Sequence, residues 1–389
     1  MAENNISVEE LVDELNTFLE EAEETAAAPQ EETTEKTESK ARTIGRGIAK
    51  VAIALLTTVA LLVAALYGVM YVLAKGPSTT ARDLFVRSVR ETSAVGFLAN
   101  LYFSEAEITE IIQGKDVAEY VETDTSLIQI PQPEPDTDNN DGPVADQWGL
   151  IDEDGDGLII QDVKGQGYVG KMMVVLDPSR VIMGSVPAAY GYRGYTVAEM
   201  VGYYDAVAGI NAGGFLDPNG TGNGSIPDTM VVFEGQIYYA ENGVSAGFVG
   251  FDENHIMHVG KPSVQDVIDK KIQYGVCFGP VLISNGQVHN PDQLTSGVNP
   301  RTAIGQRSDG AVLLLVIDGR QVSSLGATYL DVAEVMLSYG AVNACNLDGG
   351  SSSVMWYEGK YINSPCTVVG IRPVPTTFLV LKEGGKQDG

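Results

Sequence analysis

The sequence predicts an α+β protein: a mixed β-sheet domain with flanking helices, preceded by a single transmembrane helix and a helical stalk. Three observations carry this. Val51 to Leu73 is a run of 23 residues without a charge. Beyond residue 146, short β-branched runs alternate with clusters of Gly, Asn, Asp and Pro, the pattern of strands and turns. Of the 44 glycines, 37 lie in the last 244 residues, roughly twice ordinary usage. They follow no collagen-like period, so they suggest a turn-rich domain whose backbone approaches a ligand closely.

Residues 1–43 read as an acidic cytoplasmic tail. Within it, Leu11, Leu15 and Leu19 share a helical stripe, and Ser7 to Glu10 forms a capping-box pattern. Two readings stand: a short solvated helix in a disordered tail, or a docking helix for a cytoplasmic partner. Residues 44–75 hold the transmembrane helix. At 1.5 Å per residue, residues 51–73 are long enough to cross a bilayer, and a cleaved signal peptide would be shorter and nearer the start. Lysines and arginines flank the run almost evenly. The tight group Arg42, Arg46 and Lys50 favours an N-terminus inside and the large domain outside the cell membrane.

Residues 76–127 are expected to form a membrane-proximal helical stalk, with self-association as one expectation. Ser104 to Glu107 is a second capping box there, opening a helix toward Ile111 and Ile112. Residues 128–147, rich in Pro, Asp and Asn, read as a linker. The domain then occupies residues 148–389. Strands are expected at 158–163, 172–176, 230–233, 281–284, 311–317 and 376–381, and helices at 197–206 and 329–339, the latter closed by Gly340.

The 389 residues carry a formal charge of −28, of which −9 falls in residues 1–47 and −21 beyond residue 75. That acidity argues against a nucleic-acid partner, which needs a basic face. Cys277, Cys345 and Cys366 make neither a disulfide framework nor a zinc motif.

Four motifs tempt and are set aside. Gly165 to Gly170 has dinucleotide-fingerprint spacing, but a strand follows it where a helix is required, so a hairpin turn is expected. Gly243 to Gly247 has nucleophile-elbow spacing, but an extended stretch at 248–251 follows. Asp152, Asp154 and Asp156 open like a calcium loop, yet Val163 stands where the bidentate acid belongs. A surface turn is expected there, with opportunistic calcium binding as the alternative, and no resident cofactor or metal. His255 and His258 fall on a strand-like stretch, where positions i and i+3 face opposite sides; both are expected to be structural or surface histidines.

Other segments set polar residues and glycines beside apolar strands. Residues 343–347 read as a strand ending at Asp348. Gly349 and Gly350 let the backbone turn sharply, and the N–H groups around Ser351, Ser352 and Ser353 can form an anion nest. A carboxylate beside anion donors suits hydrolysis of a phosphate-containing bond; a serine-rich turn without ligand is the alternative. Pro300 stiffens the approach to Arg301, and Thr302 begins an apolar strand that anchors it. The guanidinium fork suits phosphate, the alternative being an ordinary surface ion pair. Asn211 offers an amide to a sugar hydroxyl, and Gly213 and Gly214 admit close approach. Asp318 and Arg320 add a carboxylate and a cation at a strand end, or simply a type I turn.

Taken in order, Asn211-Ala-Gly-Gly-Phe215, Gly279-Pro-Val-Leu-Ile283, Asn299-Pro-Arg-Thr-Ala-Ile-Gly305, Asp318-Gly-Arg320, Leu347-Asp-Gly-Gly-Ser-Ser-Ser353 and Arg372-Pro-Val-Pro375 resemble the phosphodiester glycosidase family. That family includes N-acetylglucosamine-1-phosphodiester alpha-N-acetylglucosaminidase and bacterial proteins labelled exopolysaccharide biosynthesis. The resemblance covers about residues 165–382. It departs at Asn211, where an extra Ala212 precedes the glycine pair, and at Arg372, which follows Ile371 where the family usually has an acid. It implies cleavage of the bond between sugar C1 and phosphate oxygen in a sugar-1-phosphodiester of an envelope polymer. On this reading Asp348 stabilises the oxocarbenium-like centre or activates water, and Arg301 binds phosphate. Asn211, Ser352 and Ser353 orient sugar or phosphate, and Asp318 is the second carboxylate. A non-catalytic, membrane-anchored module that binds glycopolymer is the alternative.

Overall fold

The computed structural model describes residues 30–92, 95–113, 122–131, 145–217, 222–239, 247–291, 294, 296–367 and 370–384. The expected tail helix at residues 7–24, most of the linker and residues 243–246 lie outside these. The chain divides into two compact units, Met1–Val72 and Leu73–Gly389.

Helix α1 (Gln30–Lys75), which lies in the first unit as far as Val72, contains a stretch from Arg46 that is long and apolar enough to cross a membrane, by length and composition. None of its apolar window is buried by protein. Thr57 and Thr58 return their hydroxyls to the carbonyls of Ile53 and Ala54 at 2.8 and 2.9 Å, so two polar groups of the run are satisfied within the helix.

The second unit is built on three sheets, and every strand pair among the described residues is antiparallel. The α+β class stands, but the mixed β-sheet expected from sequence is antiparallel and divided among these three. The first has the order β1 (Leu158–Gly165), β2 (Tyr168–Val175), β13 (Val312–Ile317), β12 (Arg301–Arg307), β14 (Ala341–Leu347), β10 (Val281–Ser284), β11 (Gln287–Val288). The second runs β16 (Lys360–Tyr361), β15 (Met355–Tyr357), β4 (Ala206–Asn211), β17 (Thr376–Leu381), β3 (Val181–Ser185). The third runs β6 (Gln236–Tyr239), β5 (Val231–Phe233), β9 (Ile272–Phe278), β7 (Gly247–Asp252), β8 (Met257–Gly260). The fingerprint-like Gly165–Gly170 stretch is the turn and first residues of the β1–β2 hairpin, as expected.

The centre of the first sheet is buried on both faces, which explains why β13 reads as an unbroken apolar run. On β13, Val312, Leu314 and Val316 enter the core shared with the other two sheets. Their neighbours Leu313, Leu315 and Ile317 belong to a second core together with Val332, Ala333 and Met336 of α6 (Tyr329–Ser338). Period-two alternation therefore divides one apolar string between two cores. Burying each such side chain contributes roughly 1.5–3 kcal/mol. Helix α4 (Val197–Tyr203) starts at a complete Thr196–Glu199 capping box and α5 (Val264–Asp269) at a Ser263–Asp266 one.

Residues 74–113 form a small helical cluster. Helix α2 (Thr79–Arg90), a 3-10 turn at Gly96–Leu101 and α3 (Glu105–Gln113) close around Ala74, Val86, Ala99, Phe103 and Ile108. The expected Ser104–Glu107 capping box opens α3, with Ser104 N–H donating to Glu107 at 2.7 Å. The stalk is thus helical here, yet it belongs to the same compact unit as the sheets. Of the rest of the expected stalk, residues 122–127 are described and end in a 3-10 turn at Thr125–Leu127; Asp124 N–H donates to Asn285 and Gln129 N–H to the carbonyl of Ser308, at 2.8 and 2.7 Å. That tethers the start of the expected linker to the domain.

Candidate active site

Strand register places the candidate residues. In the antiparallel β12–β14 pair, Thr302 faces Leu347, so the entry of β12 and the exit of β14 meet at one edge. Arg301 and Asp348 follow from that pairing. Asp348 N–H donates to the carbonyl of Ala212 at 2.9 Å, which draws the end of β4 to the same place. The result is a cavity of about 590 Å³. Asp348, Gly349, Gly350, Ser351 and Ser352 form one wall, and Arg301, Arg320 and Arg372 enter it. Phe215, Phe278 and Tyr329 supply its apolar surface.

Asp348 is half-buried, and enclosure by protein pushes its pKa up to about 6. The Ser352 hydroxyl and the nearby Arg372 charge oppose that rise. A carboxyl so placed changes charge near neutral pH, which suits a group that handles protons or developing positive charge.

Several expected contacts are spent elsewhere. The Asn211 amide donates to the main-chain carbonyl of Asp348 at 2.5 Å, and its oxygen accepts from Thr302 Oγ1 and Val354 N–H at 2.9 and 3.2 Å. Asn211 is fully buried. It therefore holds the turn and does not read a sugar hydroxyl, and Thr302 serves it from behind. Part of the expected backbone nest is also committed. Gly350 N–H donates to Pro300, Ser352 N–H to Gly349, and Ser353 N–H to Gly350. Gly213 and Ser353 sit behind the cavity wall, while Gly214 lies on it. Asp318 does not line the cavity. Its carboxylate accepts from Asn363 Nδ2 at 3.0 Å and Ser364 N–H at 2.9 Å, bracing the segment after β16.

Arg301 is no surface residue; it is 4 % exposed. Its Nε donates to Ala327 O at 3.0 Å, its Nη2 to Gly297 O at 2.6 Å, and its plane lies 4.0 Å from the Tyr329 ring centre. Arg320 adopts φ 56°, a left-handed conformation that is strained for a bulky residue. It thereby lies over Gly350, where an added Cβ would stand 3.4 Å from its guanidinium.

Sequence reasoning missed three carboxylates here, Asp217, Asp228 and Glu91. Asp217 takes a bidentate pair from Arg372 at 2.7 and 2.8 Å. Arg372 holds Asp217 below the usual carboxylate range, and Asp217 raises Arg372 in turn. They are 155 residues apart, so only Arg372, within its motif, stood out. Asp228 is exposed on the same wall, fixed by its N–H to Gly214 O at 3.1 Å. Its Pro-Asp-Thr context reads as an ordinary turn.

Away from this cavity, Asp152, Asp154 and Asp156 lie within 4.8 Å of one another. The two Asp152 oxygens already accept from Gly155 and Gly157 N–H. His258 is buried against Asp252 at 3.0 Å, the structural role expected of it.

A raised carboxyl thus shares one cavity with three arginines, on an α+β domain. Residues 204–381 match the family model described as phosphodiester glycosidase, in agreement with the resemblance read from the sequence. Among curated proteins, the chain is 33% identical over 181 residues to the SPbeta prophage-derived uncharacterized protein YomE of Bacillus subtilis (strain 168), covering 43% of this chain and 27% of that protein. It is 25% identical over 228 residues to human N-acetylglucosamine-1-phosphodiester alpha-N-acetylglucosaminidase, covering 53% and 43%. The chain thus spans less than half the length of these relatives. Among solved structures, the zebrafish N-acetylglucosamine-1-phosphodiester alpha-N-acetylglucosaminidase catalytic domain, auto-inhibited by its pro-peptide, aligns at 18% identity and a TM-score of 0.49, covering 58% of this chain and 82% of that one.

Proposed function

We propose that the chain is a membrane-anchored, extracytoplasmic hydrolase of sugar-1-phosphodiesters, acting on an envelope glycopolymer or exopolysaccharide. Support comes from the family match of residues 204–381 and the uncharged run at 51–73. The single observation that carries the chemistry is Asp348, its pKa raised to about 6, in one cavity with Arg301, Arg320 and Arg372.

In this reading the arginines bind the phosphate and take up the negative charge it gains as the C1–O bond breaks. The electron pair of that bond stays on the phosphate oxygen, giving a phosphomonoester. Ionised Asp348 stabilises the oxocarbenium-like C1. Water adds at C1 and yields the free sugar, and its proton passes to a carboxylate. Asp228, exposed on the same wall, takes that role in place of Asp318. Phosphate is a good leaving group, so a strong general acid is not required.

The test is incubation of the full chain in detergent micelles with sugar-1-phosphodiesters of both anomeric forms. Free sugar and phosphomonoester are expected in equal amounts, with turnover lost in Asp348→Asn. Polymer that binds and is recovered unchanged would favour the non-catalytic glycopolymer-binding module.

A further inference from the structure

The helix nearest the apolar segment reaches into the candidate site. Glu91, the C-cap of α2, accepts from Arg301 Nη2 at 2.7 Å and Asn299 Nδ2 at 2.9 Å through Oε2, and from Gly297 N–H at 3.0 Å through Oε1. Its neighbour Thr92 accepts from Arg320 Nη2 at 2.7 Å. Both residues line the cavity. Two of the three guanidiniums are therefore engaged by consecutive residues that lie outside the family-matched segment.

The contact is built. Ser88 Oγ accepts from Val298 N–H at 3.1 Å, and a Cβ on Gly297 would stand 2.3 Å from the Ser88 Cα. Only glycine at position 297 admits α2 this closely. The close approach sets the Glu91 side chain, 26% exposed, against an Arg301 side chain that is 5% exposed.

We infer that Glu91 is an internal competitor for the phosphate site: its carboxylate occupies the Arg301 donor, and an anionic ligand binds there by displacing it. A carboxylate oxygen and a phosphate oxygen seek the same N–H groups at the same distance. Two anions on one guanidinium edge also repel each other in this partly enclosed setting. Binding is thereby coupled to release of the α2 end from the 296–299 loop. The inference rests on the reading of Arg301 as the phosphate ligand.

The experiment is calorimetric titration of inorganic phosphate into the full chain in detergent, comparing wild type with Glu91→Gln, Thr92→Val and Arg301→Gln. Glu91→Gln keeps the shape and removes the charge. It is expected to bind phosphate at least about tenfold more tightly, a difference of about 1.4 kcal/mol, and Thr92→Val more weakly in the same direction. Arg301→Gln is expected to lose binding. Unchanged or weaker binding in Glu91→Gln, or phosphate binding by neither wild type nor that variant, overturns the inference. Should Glu91→Gln not fold, unchanged binding in Thr92→Val overturns it alone. Hydrolysis of sugar-1-phosphodiesters is followed in parallel. Phosphate binding that behaves as expected without turnover in any protein would count against the hydrolase and leave the competition intact.

Discussion

Asn211 reaches from the end of β4 to hold the main-chain carbonyl of Asp348, at 2.5 Å, while its own oxygen is held by Thr302 and Val354. One buried amide thus ties the second sheet to the turn that follows β14. Asn211→Ala would leave three polar groups without this partner. An unpaired buried group costs about 1–3 kcal/mol, so chemical denaturation should show a loss of about 3 kcal/mol or more. If Asn211 acts only through Asp348, kcat falls and KM changes little.

Asp348→Asn should abolish turnover and leave the fold intact. The sign of the stability change is also fixed. Burial raises the folded pKa from 3.8 to about 6. Protonation therefore favours the folded chain, an advantage complete below 3.8 and lost as pH rises through about 6. An uncharged amide keeps that advantage at neutral pH. Unfolding free energy at pH 7.5 should rise by up to about 3 kcal/mol in the variant, and the gap should close toward pH 4. A variant no more stable than wild type at pH 7.5 would show that the carboxylate is not disfavoured there.

The same group sets the pH profile of catalysis. Asp348 is proposed to work ionised, so kcat/KM should fall tenfold per pH unit below about 6. A profile that instead declines above that value would make Asp348 a proton donor.

Asp217 and Arg372 are expected to act as a unit. A double-mutant cycle with Asp217→Asn and Arg372→Gln should give a coupling of about 1.5–3 kcal/mol in stability. The substrate KM should rise in all three variants, because the guanidinium loses its fixed orientation. Additive effects would mean that the two groups act separately.

Asp318→Asn separates bracing from catalysis. The carboxylate serves Asn363 and Ser364 outside the cavity through one oxygen, which an amide retains, and burial raises its pKa, so the variant should be at least as stable as wild type near neutral pH while kcat stays within a few-fold of wild type. A loss as deep as that of Asp348→Asn would return Asp318 to the catalytic role its sequence position suggests.

The sequence was most legible where one residue type dominates. The strand expected at 281–284 matches β10, and that at 376–381 matches β17, because both are short apolar runs bounded by turns. β9 (IQYGVCF) escaped notice because polar residues and a glycine interrupt it, although most of it is buried. Gln306 on β12 looks like a surface residue in one dimension. It is fully buried because its amide is satisfied by Met257 N–H and by the carbonyls of His255 and Gly310. At the site, motif residues marked the cavity, but the sequence did not show which atoms face it. Asn211 and Asp318 have the right chemistry and spend it on neighbours. Asp217, Asp228 and Glu91 are acids in an acidic chain, and only folding brings them to the arginines.

Strand β12 carries an arginine at each end, and each is stacked on a ring: Arg301 on Tyr329 at 4.0 Å and Arg307 on Trp148 at 3.7 Å. Arg307 is further paired with Asp146 at 2.7 Å and with Asp309. A slip of two residues, the smallest that preserves the facing of side chains, would drag both guanidiniums about 7 Å off their rings at once. The strand behaves as a rod clamped at both ends. The far clamp, remote from any substrate, helps keep the near guanidinium at a constant depth in the cavity before a ligand arrives.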